Sequence, residues 1–143
     1  MKIVAFNNPY HVPKETYLLL NEIEALIKTL HLNNLGSVKN NILSKLNQIF
    51  TSFKSIERDL ERFELCSNSE IARFQVLIGE VSAFRAMVEM LFSNQEFKTE
   101  TQLEKLQKEL ERRFKIIIQI ITRKMSQLEP VIRKQQERRL TYH

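Results

Sequence analysis

The chain carries 22 lysines and arginines against 17 acids, and the excess is unevenly placed. Residues 122–143 hold Arg123, Lys124, Arg133, Lys134, Arg138 and Arg139 against only Glu129 and Glu137, so +4 of the formal +5 lies in this segment. A cluster of long cationic side chains is the electrostatic footprint of contact with a phosphate backbone, a solvated basic tail being the plain alternative. Tyr142 is the only aromatic residue there that could stack on a base. The expected partner is therefore DNA or RNA, bound without sequence preference and sensitive to salt.

Other chemistries find few residues to carry them. A di-metal carboxylate bundle needs Glu-x-x-His pairs, whose ligands share a helix face, and none occurs. His11, His31 and His143 have no second histidine at helical spacing and read as solvated, so no metal site is expected. The lone Cys66 excludes an internal disulfide and fits a reducing compartment. With two glycines in 143 residues, no Gly-rich phosphate loop or Gly-x-Ser-x-Gly elbow can form. Acidic residues such as Glu104, Glu109 and Glu111 stand four positions before Lys108, Arg113 and Lys115, the spacing of solvated ion pairs. The expectation is a protein without catalytic residues or cofactors.

The elements that must position the cations are helical, because glycine poverty removes turn-rich β folds and apolar residues recur at three and four. A first helix is expected from Lys14 to His31, stopped by Asn33-Asn34-Leu35-Gly36 with the glycine at positive φ. Ser37 is the expected cap of a second helix reaching Leu65, and Ser69 of a third reaching Phe92. The third is the most apolar, so it should be central; Gly79, Ala83 and Ala86 would allow a neighbouring helix to approach closely. Thr99 or Thr101, with Gln102 and Glu104, starts the fourth. Its stripe from Leu103 to Ile132 keeps phase through Pro130, which predicts either a kink near Gln127 or a stop and restart.

The resulting expectation is all-α: an antiparallel up-down-up-down four-helix bundle over 14–129, with Phe53, Phe74, Phe84 and Ile117 in its core. Residues 1–13 form an extended N-terminal strap, and 130–143 a basic helical extension or tail. The opening run Met1 to Phe6 is too short for a secretory signal and no stretch approaches a membrane span, which predicts a cytoplasmic protein with no membrane partner. Ile116 and Ile120 lie off the core stripe of the fourth helix. Either that helix is buried nearly all round, or these two residues face a second subunit in a homo-oligomer.

The run Phe74-Gln75-Val76-Leu77-Ile78-Gly79-Glu80-Val81, followed by Phe97-Lys98-Thr99-Glu100 leading into a long fourth helix, resembles the ribosomal intervening-sequence proteins. That family includes the accessory variability proteins of diversity-generating retroelements. The Ala-Glu-Gly segment typical of many members is absent. The resemblance implies a basic oligomer of four-helix subunits that binds nucleic acid and a polymerase or other nucleoprotein partner, with Arg123, Lys124, Arg133 and Lys134 as counterparts of its basic surface.

Overall fold

A computed structural model describes residues 11–93 and 97–141, with the side chains of 11–13, 136 and 138–141 outside the description. It consists of four helices: α1 (His11–Lys28), α2 (Leu35–Arg62), α3 (Asn68–Ser93) and α4 (Glu100–Thr141). They pack as a helical bundle around one core. The ten residues before α1, which hold most of the expected strap, lie outside the described residues. Helix α1 is already helical at His11, the first described residue, and so includes Pro13 and the expected start Lys14.

Local chemistry sets each helix end. Asn34 ties off the turn after α1: its Oδ1 accepts from the His31 amide at 2.7 Å and its Nδ2 donates to the Thr29 carbonyl at 2.9 Å. Because Asn34 carries that turn, α2 begins at Leu35; Ser37 lies inside the helix and Gly36 does not adopt positive φ, contrary to the sequence expectation. Helix α3 is capped by Ser67 rather than Ser69. The Ser67 hydroxyl accepts from the Glu70 amide at 3.2 Å while the Glu70 carboxylate accepts from the Ser67 amide at 3.0 Å, a reciprocal capping box. The same device at α4 selects Thr99: its Oγ1 accepts from the Gln102 amide, and Gln102 Oε1 accepts from the Lys98 and Thr99 amides.

Between α2 and α3 the chain turns through Glu64, whose φ of 50° is left-handed, as the Leu65 amide donates back to the Leu60 carbonyl. This is a helix end normally served by glycine, and a side chain there costs roughly 1 kcal/mol. Glu64→Gly is accordingly expected to raise stability by about 0.5–1 kcal/mol, read as a higher urea midpoint at unchanged slope. A fall in the midpoint would show that the Glu64 side chain contributes more than its backbone strain removes.

The core joins all four helices, and Phe53, Phe74, Phe84 and Ile117 are buried in it as expected. The Phe53 and Phe74 rings link α2 to α3 edge to face, with centroids 5.8 Å apart. Phe84 and Phe114 link α3 to α4 at 6.0 Å. Gln107 of α4 donates to the Ile27 carbonyl at the end of α1, satisfying a group the helix leaves open. Fully buried Gln135 donates to Asp59 of α2 at 2.7 Å.

Two expectations about α3 and α4 change. Helix α3 is not central: among the described residues it packs against α2 and α4 only, whereas α2 and α4 each touch all three other helices. Part of its apolar circumference therefore faces outward, with Val76 51% and Met90 50% exposed. Nor, among the described residues, does another helix approach Gly79, where a methyl group would meet nothing within 4 Å. A helix-interior glycine costs about 1 kcal/mol relative to alanine, and intrachain packing leaves that cost unrecovered. Helix α4 continues unbroken through Pro130, so the stop and restart does not occur. Leu128, Val131 and Ile132 are buried on either side of it, while Ser126 and Pro130 are exposed, so water can take the carbonyl that proline leaves unpaired.

Candidate nucleic-acid interface

Helix α4 is 42 residues long, about 63 Å, against 18 for α1, and it carries every expected phosphate-binding residue. Its core stripe runs from Leu103 through Leu110, Ile117 and Ile121 to Ile132 and Gln135. The cations occupy the rest of the circumference. Arg123 and Lys134 are eleven residues apart, about 20° of rotation and about 16 Å of rise, so both stand on one outward stripe, and both are exposed. Neither makes an ion pair among the described residues. Lys124 lies about 100° round toward the core and is half-buried. Arg133 lies on the opposite flank, where its guanidinium holds Glu129 at 2.7 Å. The side chains of Arg138 and Arg139 lie outside the described residues, although the helix backbone continues through both.

The structure thus brings two of the expected residues onto one line and spreads two others to its sides. It also extends the line toward the N-terminus, because Arg112 precedes Arg123 by a further eleven residues. Arg112 and Arg113 grip one carboxylate, Glu109, at 2.7 and 2.8 Å. Their forks hold its pKa down to about 2, so Glu109 stays ionised and cancels one of the two charges. Arg112 is not among the residues expected from the sequence, although the apolar stripe, with Leu103, Phe114 and Met125 eleven residues apart, carries the same spacing that links Arg112 to Arg123.

Lys134 sits near the turn between α2 and α3. Hydrogen bonds from the Ser67 amide and hydroxyl hold the Glu70 carboxyl below its usual range, and the nearby Lys134 charge adds to the effect. Burial pushes the Cys66 thiol up, and Glu70 and Glu61 push it further, against an opposing pull from Lys134. A thiol held protonated in this way is a poor nucleophile. On the other side of α4, burial raises the Tyr17 hydroxyl where α1 meets Thr122 and Glu129.

No family model matches the chain, and no curated protein or solved structure is significantly similar to it. The functional reading rests on the geometry. A cleft of about 400 Å³ between α1 and α4 has Ile27 and Phe114 at its floor and a rim of charged residues including Glu24, Lys28 and Arg112. Lys28 is engaged with Glu24 at 3.2 Å, and the residues lining the cleft include no histidine, cysteine or hydroxyl side chain. Among the described residues no three His, Cys, Asp or Glu side chains converge as metal ligands, and no helix is long and apolar enough to cross a membrane.

Proposed function

We propose that this protein is a non-catalytic, basic helical accessory subunit that binds the phosphate backbone of nucleic acid, alone or within a nucleoprotein partner. The observation that carries the reading is the placement of Arg123 and Lys134. They are exposed and aligned, and neither forms an ion pair among the described residues, on a helix whose C-terminal segment holds four more cations against two acids. Glu129, one of those acids, is already committed to Arg133. Positive charge without stacking aromatic residues attracts phosphate and does not read bases. The reading puts the protein in the cytoplasm, where a protonated, unpaired Cys66 is stable. A polymerase or other nucleoprotein as the larger partner is what the family resemblance implies.

Fluorescence anisotropy with labelled single- and double-stranded DNA and RNA, titrated across salt, tests the proposal. About four phosphate contacts should lower affinity roughly 100-fold between 50 and 200 mM salt. The double change Arg123→Glu, Lys134→Glu should flatten the salt slope by about two contacts while the helical circular-dichroism signal stays unchanged. Absence of binding to any of the four nucleic acids at low salt would remove the proposal. The apolar face exposed on α3 favours a second reading, a protein-contact adaptor, whose binding would be far less sensitive to salt.

A further inference from the structure

The outward face of α3 carries a second apolar seam that the described residues of its own chain leave uncovered. Ala72, Val76, Gly79, Ala83, Ala86 and Met90 follow one another at spacings of 4, 3, 4, 3 and 4, the rhythm of a left-handed helix pair, and all six are exposed. The seam is continuous with α4: Ala83 and Met87 share a shallow cleft with Ile116 and Ile120, and Ile116 is 46% exposed. The deep-core explanation of Ile116 is thereby excluded, and its exposure belongs to the same face.

We infer that this seam docks against the same seam of a second copy, with the two α3 helices antiparallel and the two-fold axis at Val81. The self-complementarity of the residues selects the occupant. Centred on Val81, the antiparallel register sets Ala72 opposite Met90, Val76 opposite Ala86 and Gly79 opposite Ala83, so every layer pairs a small side chain with a larger one or two small ones at the middle. Gly79 then stands where the two backbones come closest, a role no described helix of its own chain gives it. A parallel register would stack Met90 on Met90 and Gly79 on Gly79, crowding one layer and emptying another. The axis also brings together Glu80 from both copies, and Arg113 of each copy lines the same cleft and offsets that like charge.

Size fits a weak, specific dimer. The seam is about 27 Å long on a helix about 10 Å across, about 540 Å² over the two copies, and Ile116 and Ile120 alongside bring it toward, without passing, the roughly 1,000 Å² at the low end of biological interfaces. Association should therefore depend on concentration in the micromolar range. The inference moves the centre of the interface from α4 to α3 and does not depend on the nucleic-acid reading.

Sedimentation equilibrium of the full chain from about 5 to about 500 micromolar should show the mass rising toward twice 17.0 kDa. Ala83→Arg and, separately, Val76→Arg should stay at 17.0 kDa throughout, with unchanged helical signal because both positions are exposed in the single chain. In a Cys66→Ser background, Ala72→Cys mixed with Met90→Cys should form an oxidative cross-link that Ala72→Cys alone does not. A wild type that remains at 17.0 kDa at the highest concentration, or arginine variants that associate as wild type does, would overturn the dimer. Self-cross-linking of Ala72→Cys would overturn the antiparallel register.

Discussion

Phe53→Ala is expected to lower the stability of the fold by about 3–5 kcal/mol, the range for removing a fully buried phenylalanine ring. Phe53 has no exposed surface, and its ring meets Phe74 edge to face at 5.8 Å across the α2–α3 contact. The cost combines lost apolar burial with a cavity that only partly collapses, since Ile49, Ile56 and Phe74 around it are themselves fixed by the packing of neighbouring helices. A domain of this size commonly has about 5–15 kcal/mol in total, so the variant should melt roughly 10–20 °C lower and still unfold in one transition. Pairing it with Phe74→Leu in a double-mutant cycle should expose about 0.5–1.5 kcal/mol of coupling from the ring contact. Urea midpoints measure both. A loss below about 1 kcal/mol would show that the α2–α3 contact is not closely packed.

The ring lies where the residue spacing placed it, and the reasons show what a sequence carries. Val38 to Leu60 recurs at three and four, and that periodicity follows directly from a helix burying one stripe, so the residues facing the core were legible. Helix ends were less so, because several polar residues compete for each cap. Asn33-Asn34 precedes Ser37, and Ser67 precedes Ser69; Ser67 wins because Glu70 stands three residues on, whereas Asn34 wins by tying back to His31 and Thr29 in the turn before it. The expected centrality of α3 fails for a different reason. An apolar total cannot distinguish a helix surrounded by its own chain from one with a face left for another, whereas the separate spacing of Ala72 to Met90 can. Buried polar residues were not legible at all: Gln135 continues the core stripe one step beyond Ile132, but its burial depends on Asp59 arriving from α2. For the cations, sequence established their number, and only the helix continuing through Pro130 places Arg123 and Lys134 on one line.

That continuity makes Pro130→Ala the other large effect, in the stabilising direction. Inside a helix, proline removes the amide that would bond the Ser126 carbonyl and crowds that turn, costing about 3 kcal/mol relative to alanine. Part of this is returned in the unfolded chain, where the ring restricts conformations by up to about 1 kcal/mol. The net gain should be about 2 kcal/mol, or roughly 6 °C in melting temperature. Leu128, Val131 and Ile132 are already buried in phase on both sides, so the alanine chain needs no repacking to collect that gain. Slower amide exchange over residues 128–135 should accompany it, since the restored bond closes the one gap in the backbone ladder that Pro130 creates. An unchanged or lower melting temperature would mean that the proline bends α4 onto the bundle and that straightening it withdraws Val131, Ile132 and Gln135 from α2. In that case the variant should also lose the Gln135–Asp59 hydrogen bond, and Asp59→Ala should cost less in the Pro130→Ala background than in wild type.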